Sequence, residues 1–177
     1  MTTPVMIRLG ITVELGGVPV GLSQVQGLQA TLVATQPGAS VQLKVKAGEV
    51  VPLSGHFYRV VAVHDGGETH VPGGSKSYVQ LEASAEPQRA ERLAVPVGAS
   101  MNAMGFDFAV TSVQGDTVSV EAWPDQHARK NTRPELIKSY TVKRNGAIPA
   151  GARALSVRNV VAADPSRNVP AYVELSL

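Results

Sequence analysis

A chain of 177 residues in which 16 lysines and arginines face 14 acids carries a net charge of +2, too even for a surface that binds nucleic acid along its whole length. It has no cysteine, which removes disulfide staples, zinc–thiolate sites and thiol chemistry. Nowhere is there a run of about eighteen apolar residues, and Met1-Thr2-Thr3-Pro4-Val5 has no basic stretch leading into an apolar core. The expectation is a chain made in the cytoplasm, with no membrane span.

The first element is the most regular. Val5, Ile7, Leu9, Ile11, Val13 and Leu15 alternate with Met6, Arg8, Gly10, Thr12 and Glu14, which predicts one long strand over residues 5–15, ended by Gly16-Gly17. Strands follow at 29–35 and 40–46, joined by a Gln36-Pro37-Gly38-Ala39 turn, and then at 57–64 and 77–82. Glycines at 66, 67, 73 and 74 make the last connection a long loop. Residues 82–93 contain helix formers but also Pro87, and read as a linker. Beyond it, strands at 107–113 and 117–123 flank Gln114-Gly115-Asp116, and a closing pair falls at 155–161 and 171–175.

The chain also resembles itself. Residues 18–23 (VPVGLS) return as 95–100 (VPVGAS), 77 residues later, and at that offset Val33 meets Val110, Gly38 meets Gly115 and Val41 meets Val118. The fold class expected is all-β: two tandem small β-sandwich or barrel-like modules related by internal duplication. The first module spans residues 1–86, with the N-terminal strand as an extra element. The second spans 92–177 and carries a basic insertion near 123–141. Between Asp125 and Arg144 six lysines and arginines stand against two acids.

Candidate chemistry is sparse. His64, Asp65, Glu68 and His70 around a turn are a set that zinc accepts, but any solvated loop has the same composition, and no metal or other cofactor is assigned. A hydrolase would need His56, His64 and His70 to converge. Residues 21–25 (GLSQV) miss the G-x-S-x-G pattern at its last position, and residues 71–77 lack the spaced glycines of a phosphate loop. Glu121 and Asp125 make a carboxylate pair of a kind that every β-protein offers. No catalytic residue is assigned, and the chain is expected not to be an enzyme.

Contact surfaces are the better reading. Arg129, Lys130, Arg133 and Lys138, bracketed by Trp123 and Tyr140, would suit phosphates and bases, yet Leu136 and Ile137 look like an anchor into protein. The even charge favours protein over nucleic acid. The residues expected to bind a partner are Val5, Ile7, Leu9, Ile11 and Val13, through strand addition, and Arg129, Lys130, Arg133, Leu136 and Ile137 in the insertion. The function expected is structural: an accessory part of a phage-like particle, such as a capsid decoration, connector or tail component, whose partners are copies of itself or other protein subunits. Two alternatives are a soluble inhibitor or immunity-type binding module using the loop from Asp65 to Lys76, and a metal-dependent hydrolase.

Overall fold

The computed structural model describes residues 3–36, 38–53, 56–67, 76–84, 93–124 and 131–177. These form 16 strands in three antiparallel sheets, and among the described residues there is no α-helix, only short 3-10 turns such as Pro134–Leu136 and Pro165–Arg167. The first small sheet has the order β1 (Val5–Arg8), β8 (Tyr78–Ala83), β7 (His56–His64), β6 (Val50–Leu53). The second has the order β9 (Leu93–Pro96), β16 (Tyr172–Ser176), β15 (Arg153–Val161), β14 (Ala147–Ala150). An eight-stranded sheet runs through both halves: β2 (Thr12–Leu15), β3 (Val18–Gln26), β4 (Gln29–Gln36), β5 (Ala39–Lys46), then β10 (Ser100–Ala103), β11 (Phe106–Gln114), β12 (Thr117–Pro124), β13 (Lys138–Lys143).

Alternation sets which face is buried. In β5, Ala39, Val41, Leu43 and Val45 point inward while Gln42, Lys44 and Lys46 are in solvent. The inward residues of all three sheets form one cluster, from Ile7, Leu32, Val60 and Leu81 in the first half to Phe108, Ile148, Leu155 and Leu175 in the second. Val41 and Met101 face each other where β5 pairs with β10, and there the two halves share a core.

Above that junction lies a seam. β6 and β9, the facing edges of the small sheets, come close without forming a ladder. Proline explains it. Val50 donates its N–H to Asn168 O at 3.0 Å, away from β7, and two residues on Pro52 has no N–H to send the same way. Val97 donates to Ala171 O at 2.9 Å, towards β16, so the nitrogen of the preceding Pro96 faces the seam, again without a hydrogen. The seam is closed instead by a clasp. Val169 packs on Val50 and Phe57, and the Tyr172 ring meets Phe57 edge-on at 5.6 Å. Asp164 holds the clasp loop by accepting from the amide and hydroxyl of Ser166, whose hydroxyl is the main cause of its carboxyl titrating below the usual aspartate range.

Residues 5–15 are not one strand. Gly10 adopts φ +78°, a conformation open to glycine, and turns the chain from the first small sheet into the large one. Its amide donates to Leu22 O at 3.0 Å and anchors the corner on β3. β1 pairs with β8 as β9 pairs with β16, and β2 pairs with β3 as β10 pairs with β11. The six-residue similarity joins unlike places: residues 18–23 lie in β3, whereas 95–100 run from β9 through Gly98 into β10.

Candidate interaction surfaces

The two surfaces expected from sequence lie at opposite ends of the eight-stranded sheet, beside its outermost strands β2 and β13. At the β2 end, most of the named side chains serve the core. Ile7 is fully buried, and Val5, Leu9 and Val13 pack against the main cluster. Ile11 does not: it follows the Gly10 corner and is 53% exposed.

At the β13 end, Arg129 and Lys130 lie outside the described residues. Arg133 is exposed and its carbonyl accepts the Leu136 amide at 2.9 Å, starting the tight turn that turns Leu136 out to 42% exposure. Ile137 is half-buried. The basic segment gives way to β13 at Lys138, and Lys138 and Lys143 bracket that strand, the last of the sheet among the described residues, with charge, a common guard against uncontrolled pairing.

Trp123 stands apart from both cores. Val118, Val120 and Ala122 of β12 face the main cluster, so Trp123 belongs to the opposite face of the strand, yet it is only 6% exposed and its indole N–H has no acceptor. That absence of an acceptor holds among the described residues; Trp123 is the chain's single tryptophan. Its emission is therefore expected to be blue-shifted and nearly insensitive to iodide in the native protein, with a red shift on unfolding. Strong iodide quenching of the native state would contradict this burial.

The histidines do not gather. His56 and His64 occupy the two ends of β7, eight residues and about 26 Å apart at strand rise. His56 lies against Gly16, where a Cβ would come within 2.7 Å of its ring, and His64 stacks on Tyr78 with centroids 4.9 Å apart. His70, like Glu68 and Asp125, lies outside the described residues. Among the described residues no three His, Asp or Glu side chains are placed to hold a metal ion.

Asp65 has a structural task. Its carboxylate accepts the Gly27 amide at 2.8 Å and the Gly67 amide at 3.0 Å, tying the β3–β4 turn to the start of the long loop. These bonds, that from Gly27 first, hold its carboxyl below the ordinary aspartate value of 3.8. A depressed folded-state pKa means stability that is present above 3.8 and lost as pH falls through the lower folded value. Asp65→Asn is accordingly expected to melt below the parent at neutral pH, with the difference shrinking on acidification. A melting difference independent of pH would refute the tie.

A cleft of about 370 Å³ escaped the sequence reading. It opens at one end of the seam, between Leu43, Val51, Val97, Ala99 and Val169, with Lys44 and Glu49 also in its wall. Its wall is drawn from residues 43–51 of one half and 96–99 and 168–170 of the other, and no local pattern announces that these meet. Comparison with known proteins adds nothing to this geometry: no family model matches the chain, and no curated protein or solved structure matches it either.

Proposed function

We propose that this chain is a non-enzymatic structural protein that assembles with copies of itself or with other protein subunits, as an accessory component of a phage-like particle (capsid decoration, connector or tail part). The observation that carries the reading is the large sheet. It ends at β2 and β13 in strands that pair on one side only among the described residues, each beside an exposed large apolar side chain, Ile11 or Leu136. Open strand edges next to apolar surface are where chains add to one another.

The same reading makes the halves, about 1–86 and 92–177, duplicates of one eight-stranded sandwich. The offset that supports it is 88 residues through the first four strands of each half and 97 through the next three, in place of 77. At 88, the register shift after Leu22 meets that after Val110, and Gly10, Gly17 and Gly27 meet Gly98, Gly105 and Gly115, all with positive φ. At 97, the shift after Val60 meets that after Val157, and Gly48 meets Asn145, each donating its amide to the residue at that bulge. Irregularities are stronger support than matched apolar residues, because alternation matches any strand to any other. The insertion is then nine residues long, the growth of the offset.

Light scattering after size exclusion, at low and at high salt, tests the assembly. A native mass of many chains is expected at one salt or both. A single-chain mass in both, up to the solubility limit, would overturn the reading.

A further inference from the structure

The junction inside the chain has unlike sides. β5, the fourth strand of its half-sheet, meets β10, the first strand of the next. A contact between unlike faces leaves one of each unused: here β2, the counterpart of β10, and β13, the counterpart of β5. We infer that copies of this chain join head to tail, β13 of one pairing antiparallel with β2 of the next, so that the β5–β10 junction is repeated between molecules. This rests on the proposed duplication and assembly and adds their geometry.

Exposure supports it position by position. Six large apolar residues are exposed among the described ones: Met6, Ile11, Leu28, Val61, Leu136 and Leu177. Three of these fall on counterparts of residues that the internal junction covers. Met6 corresponds to Ala94 and Ile11 to Ala99, which are 4% and 3% exposed beside the seam. Leu136, two residues ahead of β13, counts to Ala39, which is 7% exposed and pairs with Ala103. The second layer agrees. Ala147 and Pro149 of β14 are exposed where their counterparts Val50 and Pro52 are buried at the seam. Apolar side chains left bare where their counterparts are covered are what a repeated contact leaves at its two ends.

The register follows. Ser100 faces Gln42 and Met101 faces Val41 inside the chain, so Thr12 faces Ser139, and Val13 faces Lys138, of the next molecule. A heterologous contact of this kind closes into a ring if the rotation per chain divides a full turn, and otherwise winds into a filament.

The chain has no cysteine, so introduced thiols report without background. Thr12 and Ser139 are both exposed. Directly opposed residues of an antiparallel pair stand close enough for a disulfide or a short bis-maleimide. The variants are Thr12→Cys, Ser139→Cys and the double variant, each checked by circular dichroism for the parent fold. A mixture of the two single variants is expected to cross-link to a dimer, neither alone to do so, and the double variant to give a ladder. Dimers of Thr12→Cys alone, or a large native mass with no cross-link between the mixed variants, would overturn the head-to-tail contact and leave the assembly reading standing. A single-chain mass with no cross-link would overturn both.

Discussion

Phe108→Ala is expected to lower stability by about 3–5 kcal/mol. In a chain of this length that moves the melting temperature down by roughly 6–20 °C, and the loss should appear in a single transition. Phe108 is 1% exposed on the inner face of β11, with Phe106 beside it at 6.3 Å between ring centroids. Alanine leaves a cavity that neighbouring strands, locked in register, fill only in part. One transition is expected because the cluster around Phe108 continues through Met101 and Val41 into the first half, and β5 and β10 are one ladder. Calorimetry with far-ultraviolet circular dichroism checks both points. Two separated transitions, only one of them shifted, would mean that the halves unfold independently despite the shared sheet.

How far the sequence reveals this fold depends on where a strand is buried. Strands with one wet face are legible: β4, β5, β7, β11, β12 and β15 all fall where period-two alternation predicts them. β6 and β9 are not, since Val50-Val51-Pro52-Leu53 and Leu93-Ala94-Val95-Pro96 are buried on both faces and show no alternation. Their prolines argue locally against a strand and make sense only at a seam, where a missing N–H keeps two edges from pairing. The long alternation of residues 5–15 misleads in the opposite way, because Gly10 preserves the apolar pattern while turning the backbone.

The proposed duplication rests on a signal other than the one that stands out in the sequence. Six similar residues at 18–23 and 95–100 suggest an offset of 77, but they are short apolar words of a kind that β-proteins reuse. Glycines that must take positive φ are harder to move, and Gly10, Gly17 and Gly27 recur 88 residues on. At the candidate surfaces, residue type alone did not separate core from exposed surface. Ile7 and Ile11 are the same amino acid on the same apolar phase, and only the corner between them buries one and exposes the other.

Ile11→Asp and Leu136→Asp are each expected to abolish association, and together in one solution to restore one step of it. An aspartate carried into an apolar contact without a partner costs about 2 kcal/mol or more, close to thirtyfold in affinity. Both side chains are exposed in the single chain, so the fold itself should lose little. In a head-to-tail contact, Ile11→Asp spoils the β2 side and keeps a working β13 side, while Leu136→Asp does the reverse. Alone, each variant has no sound complement and should run at the mass of one chain. Mixed, the intact β13 side of the first meets the intact β2 side of the second, giving a dimer whose outer faces are both blocked. Light scattering of the separate and mixed variants distinguishes the geometries, because in an isologous β2–β2 contact Leu136→Asp would associate on its own like the parent. Retained association of that variant alone, or a mixture that stays monomeric while the parent associates, would exclude the head-to-tail arrangement.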